Sequence, residues 1–146
     1  MRTLIGFLAI AVAGCAAVRQ PDLGGPVPEP APPVPAARTE NLAIAGLLDG
    51  ARTDAAAGRL ANAAASLERA LRIEPRNPRL WQELARVRLK QGDYAQAEGA
   101  AARSNSWAGS DSALRAENWR LIAHAREARG DAEGAKGALE AAERQR

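Results

Sequence analysis

From Thr39 onward the chain repeats one layout of small apolar positions set between charged ones. Three glycines, Gly58, Gly92 and Gly130, mark the frame. Seven residues before each stands an alanine (Ala51, Ala85, Ala123), and five residues after each stands another (Ala63, Ala97, Ala135). Eleven residues before the second and third glycines stands a tryptophan, Trp81 and Trp119, where the first copy has Leu47; nine residues after them come Leu67, Ala101 and Leu139. Apolar residues three and four apart share one face of a helix, so each copy reads as helix, turn, helix. Glycine tolerates the positive φ that closes a helix. Asn77 is placed to cap the helix that follows, with Pro78 at its first position, and Asp93 with Gln96 has the spacing of a capping box. These signals predict six helices, over about residues 40–57, 60–73, 78–91, 94–105, 111–129 and 131–144. The first two glycines are 34 residues apart and the next two 38, which places a four-residue insertion near Asn105–Ser110. Trp107 falls in it and reads either as a packed lid over the join between the second and third copies, the preferred expectation, or as an exposed anchor for a partner.

Two antiparallel helices cross at about 8–10 Å, and alanine at both contact points permits that approach. Trp81 and Leu84 share a face and fill the space between units. Here the chain resembles the tetratricopeptide repeat, a helix–turn–helix unit of about 34 residues. Trp81-x2-Leu84-Ala85 fits its opening, Gly92-Asp93-Tyr94-x2-Ala97 its turn and second helix, and Ala70 with Pro75 (ALRIEP) its closing string. The resemblance covers about residues 41–144. It implies an all-α fold: three tetratricopeptide-like repeats forming a short right-handed superhelix, an α-solenoid. No polar capping helix follows residue 144, so the last repeat presents an open end through which the chain could form a homo-oligomer.

The N-terminus has a different pattern. Met1-Arg2-Thr3 is a short positive start, and Leu4–Ala13 is an apolar run of ten residues. A spanning helix needs about 20, so the run has the length of a signal-peptide core instead. It ends in Val12-Ala13-Gly14-Cys15, which resembles the bacterial lipobox. The resemblance implies a lipoprotein signal peptide over 1–14, cleavage before Cys15, and lipidation of Cys15, with acyl chains on its sulfur and amine. Ala16 follows where an Asp would imply retention at the inner membrane, so the expected location is the outer membrane, lipid-anchored on its periplasmic side. Residues 15–38 form a proline-rich tether: seven of the nine prolines stand between Pro21 and Pro35. Such a segment favours extended polyproline II, at about 3.1 Å per residue. The repeat domain is then 39–146.

Composition narrows the function. Hydrophobic residues are 47% of the chain but aromatic ones only 3%, so the core is built from small side chains. The net charge of +3 is spread along every expected helix rather than gathered in a basic run, which argues against nucleic acid as a partner. One cysteine and one histidine leave no zinc site of ordinary spacing, and no phosphate-binding glycine loop or nucleophile elbow is present. The expectation is a protein that is not an enzyme and takes no cofactor or metal.

In the family the first helix of each unit lines a concave groove. Carried over position by position, the partner-binding groove is expected at Leu48, Arg52, Arg79, Gln82, Arg86, Lys90, Arg120, His124 and Glu127. That set is mostly basic and is expected to hold an acidic segment of a protein partner in the bacterial envelope through charge-assisted hydrogen bonds. A lipid anchor joined to these repeats resembles the lipoprotein pilotins. Two functions follow as expectations: a non-catalytic interaction scaffold in envelope, pilus or secretion assembly, or a regulator or activator of a cell-wall (peptidoglycan) enzyme.

Overall fold

In the computed structural model, which describes residues 36–145, the chain forms six helices among the described residues: α1 (Ala36–Ala56), α2 (Leu60–Ile73), α3 (Pro78–Gln91), α4 (Tyr94–Trp107), α5 (Ser112–Ala128) and α6 (Ala132–Glu143). They pair as three antiparallel hairpins stacked in chain order, with α3 also touching α5. This is the expected all-α solenoid of three repeats, and the helix limits agree with the sequence reading to within a few residues. Cys15, the signal segment and nearly all of the expected tether lie outside the described residues. The helix starts earlier than expected, at Ala36, because after Pro35 nothing in Ala36-Ala37-Arg38 opposes helix formation.

The glycine frame works as anticipated. Gly58, Gly92 and Gly130 have φ of 76°, 82° and 81°, a region a side chain disfavours. The alanines on either side of each glycine are all buried, and Ala63, Ala85 and Ala97 are fully so. Leu67 and Leu80 are the largest apolar side chains buried completely. Leu139, the repeat-equivalent of Leu67, is half exposed, since among the described residues no helix packs on that face of α6.

Capping follows local chemistry. The Asn77 side chain accepts from the backbone N–H groups of Arg79 and Leu80, and Pro78 begins α3. Asp111 and Asp131 cap α5 and α6 by accepting from Leu114 N–H and Gly134 N–H. Asp93 does not cap α4: its side chain makes no capping bond, so the expected box with Gln96 is absent. Arg88 competes for it, with Nη1 lying 3.4 Å from Asp93 Oδ2.

The join between the second and third units holds the least anticipated feature. Asn118 on α5 is fully buried between α3 and α4. Its Nδ2 donates to Ser104 Oγ (2.7 Å) and to Asn105 Oδ1 (3.0 Å), and its Oδ1 accepts from Gln82 Nε2 (3.1 Å). Ser104 in turn donates to the carbonyl of Pro78 (2.7 Å). One asparagine thus joins the second and third units, with both its donors and its acceptor used. Trp107, expected to cover this join, is 45% exposed instead. It ends α4, and the Arg76 guanidinium lies 5.1 Å from its ring centroid. The join is closed by the small residues Ser104 and Ala108, which leave no room there for an indole.

Asn118→Ala strands the buried amide of Gln82 and the side-chain oxygen of Asn105, while Ser104 keeps its bond to the Pro78 carbonyl. At about 1–3 kcal/mol for each unsatisfied group, the domain should lose about 3 kcal/mol in urea unfolding, whereas Ser106→Ala, an exposed hydroxyl two residues along the same helix, should change almost nothing.

Candidate functional site

The helices that open each repeat, α1, α3 and α5, line one face. Between them runs a groove of about 450 Å³ whose floor is apolar: Leu48, Ala51 and Ala55 from α1, Leu67 from α2, and Val87 and Leu89 from α3. Small residues at Ala51 and Ala55 keep the floor open, since helical side chains there end at one methyl. Arg52, Glu83, Arg86, Lys90 and His124 form its rim. A second depression of about 350 Å³ adjoins it, lined by Arg79, Gln82, Arg86, Asp111, Leu114 and Glu117. Arg86 belongs to both.

Of the nine residues expected in the groove, the structure brings Leu48, Arg52, Arg86, Lys90 and His124 together in the first depression, and Arg79, Gln82 and Arg86 in the second. Arg120 and Glu127 are exposed on α5 and line neither. Gln82 corrects the expectation: it is 7% exposed and its amide is committed to Asn118, so it supports the groove from beneath rather than offering a contact.

The expected basic surface also needs correction. A ladder of alternating charge crosses the groove face. Arg52 donates to Glu83 at 2.9 Å, and Arg86 Nη1 stands 3.9 Å from the same carboxylate. Arg86 Nη2 reaches Glu117 at 3.3 Å, and Glu117 also receives Arg120 at 3.4 Å. Arg79 pairs with Asp111 at 3.2 Å. Among the described residues only Lys90 and His124 of the expected cations and imidazole lack such a partner. The surface is therefore close to self-neutralised, and its three carboxylates, Glu83, Asp111 and Glu117, were not among the expected groove residues; Glu83 and Glu117 each serve two arginines. A signal for them was present: each lies three residues before an arginine, Arg86 and Arg120, at the spacing that pairs side chains on a helix. The links to Arg52 and Arg86 on the preceding repeat span 31 residues and could not be read from one helix.

Such a surface, apolar along its floor and charged of both signs along its rim, suits a polypeptide segment rather than a small reactant. Among the described residues no group of three or more His, Cys, Asp or Glu side chains could hold a metal ion, and no helix is long and apolar enough to cross a membrane.

A stack of antiparallel hairpins with an open face on its first helices defines a helical-repeat protein. The chain belongs to the tetratricopeptide-repeat family. The family model for the tetratricopeptide repeat matches residues 54–116. Among solved structures, the globular C-terminal domain of P. aeruginosa LpoP is similar over 68% of this chain and 94% of its own, with 49% sequence identity and a TM-score of 0.67. No curated protein matches the sequence.

Removing the two acidic rungs should expose the latent basicity of the groove. The double variant Glu83→Gln, Glu117→Gln is expected to bind a fluorescent oligoglutamate at least several-fold more tightly than the parent by fluorescence polarisation. Its unfolding free energy should shift by no more than about 1 kcal/mol per pair, since half-exposed ion pairs contribute little.

Proposed function

We propose that this protein is a non-catalytic interaction module of the bacterial envelope, anchored by lipid on Cys15 to the periplasmic face of the outer membrane, which binds one segment of a cell-wall enzyme and regulates that enzyme. The observation that carries the reading is the single groove over α1, α3 and α5, with its apolar floor and self-paired rim. Three repeats give one such groove, long enough for one segment of one partner. A scaffold that gathers several subunits needs a longer concave surface, so the regulatory reading fits better than assembly of a pilus or secretion machine. The rim pairs set register: a partner must offer carboxylates to Lys90 and His124 while respecting Glu83 and Glu117, and a wrong charge opposite either is costly. The high identity across nearly the whole LpoP domain supports a shared mode of interaction for the two folded units.

In-cell photocrosslinking from a reactive residue at Lys90, followed by mass spectrometry, tests the partner. A peptidoglycan synthase or hydrolase is expected. A secretin or other assembly subunit would replace the regulator with the scaffold, and self-crosslinks alone would remove the groove as the contact. Charge reversal at both Arg86 and Arg120 sets two new anions against Glu83 and Glu117. It should abolish capture of the partner while the circular dichroism of the domain is retained; unchanged capture would sink the groove assignment.

The anchor is tested separately. Cys15→Ser should abolish labelling by an alkyne palmitate analogue and move the protein out of the outer-membrane fraction; retained labelling would place the acyl chain elsewhere.

A further inference from the structure

Arg103 stacks on Trp81 and Arg115 donates to Gln145 and the Gly109 carbonyl; most of the other arginines sort by where they stand. Those on the groove face have carboxylate partners, as do those at the glycine-turn edge: Arg59 with Asp54, Arg88 with Glu68 and Asp93, and Arg126 and Arg129 with Glu98. At the opposite edge the pattern reverses. Arg69 and Arg72 near the end of α2, and Arg76 in the turn after it, have no carboxylate partner among the described residues. Arg76 instead covers the ring of Trp107. Of the acidic groups in the two turns at this edge, Asp111 is paired with Arg79, while Glu74 accepts from the Asn77 amide and is the one carboxylate in the depression with Arg76.

Large apolar side chains are exposed at the same edge. Of four such residues in the domain, Leu42, Ile73 and Trp107 all belong here; Leu139 is the exception. Ile73 and Arg72 border a shallow depression with Arg69 and the early α1 residues Ala43, Gly46 and Leu47. Ile73 also borders the next depression along the edge, with Pro75 and Arg76. The two depressions meet at Ile73, and Arg76 carries the run on to Trp107; Leu42 precedes Ala43 on α1. The patch lies at the N-terminal half of α1, where Ala43, Gly46 and Leu47 stand against the end of α2, a few turns after the helix begins at Ala36.

We propose that this edge rests on an anionic phospholipid surface, with Leu42, Ile73 and Trp107 at the level of the headgroups and Arg69, Arg72 and Arg76 on the phosphates. The chemistry of each part fits. Indole rings favour the boundary between headgroup and acyl chain. Arginine lays its apolar stem along such a boundary and keeps its guanidinium on phosphate. What selects a membrane over an acidic protein rests on the lipid anchor proposed above: the segment that would carry it joins the domain at Ala36, where α1 begins. The groove lies on the side of the stack rather than at its edge, so the contact leaves the groove free and does not depend on what fills it.

The test uses residues 34–146, which form one compact unit, so that no acyl chain contributes. The domain is sedimented with vesicles of phosphatidylethanolamine and phosphatidylglycerol at low salt, and with vesicles of phosphatidylcholine. Binding to the first, weakened by salt and absent from the second, is expected. Arg72→Gln and Arg76→Gln should each lower partitioning about fivefold, whereas Lys136→Gln, an exposed cation on α6, should leave it unchanged. All three sites are exposed, and circular dichroism confirms that the variants are folded. No binding to anionic vesicles overturns the proposal, as does equal binding to both kinds or indifference to Arg72 and Arg76. Failure with vesicles together with Arg72-dependent retention on immobilised polyglutamate would assign the edge to an acidic protein instead and equally overturn it.

Discussion

Everything in this fold depends on how closely its helices approach. Ala63, Ala85 and Ala97 are wholly buried at the crossings, with Ala51, Ala123 and Ala135 nearly so. A larger side chain at any of these points would push the helices past the spacing at which the backbones interlock. The cost is a thin core. A buried methyl contributes far less than a leucine or phenylalanine side chain, at about 0.8 kcal/mol per carbon. Few large apolar groups compensate: apart from Leu67 and Leu80, the largest fully buried side chains are Asn118 and Ser104. The chain therefore relies on directional contacts to fix how its units stack. The asparagine at the second join does this with three hydrogen bonds, and at the glycine-turn edge Glu98 on α4 receives both Arg126 and Arg129 from the third unit.

That division explains how much the sequence disclosed. Glycine at a positive φ and alanine at a crossing have almost no substitutes, so their spacing reports the fold directly. The cap at Asn77 was legible for the same reason, since its partners are two and three residues away. The features that escaped are those in which two chemically able partners compete. Asp93 was free to cap α4 or to meet Arg88, and the arginine, one turn back on α3, holds it. Gln82 occupies a groove position in the repeat, yet a buried asparagine 36 residues later claims its amide. Trp107 looked like a lid because large apolar residues are usually buried; the join it would cover was already filled by Ser104, Ala108 and Asn118.

The candidate groove shows the same limit in electrostatic form. Counting cations along the first helices gives a basic face, and the residues counted do lie there. The count omits Glu83 and Glu117, each of which serves arginines from two successive repeats. Sequence reports which charges a helix carries, while net potential depends on which helices become neighbours. The same reasoning sharpens the contrast with the entry edge, where Arg69, Arg72 and Arg76 meet no such carboxylates. Overall charge is only +3, and much of the domain neutralises itself locally. Part of the excess falls at the entry edge, where three arginines stand together without carboxylate partners.

The two surfaces, groove and edge, would act at very different strengths, and a tether makes that workable. An edge of three arginines and three apolar side chains is a weak membrane contact by itself. Acyl chains on Cys15 would hold the domain within the length of its linker, where the effective concentration of surface is in the millimolar range. At that concentration a contact with a dissociation constant near one millimolar is occupied about half the time. A partner segment binding the groove with micromolar affinity would then be free either to engage the domain where it rests or to draw it away, at a cost of less than about 1 kcal/mol. A tighter edge would hold the domain down against its partner, and a looser one would leave its orientation undefined. The self-paired rim suits the opposite requirement, since a groove left fully basic would itself be drawn to the anionic leaflet and lost to its partner.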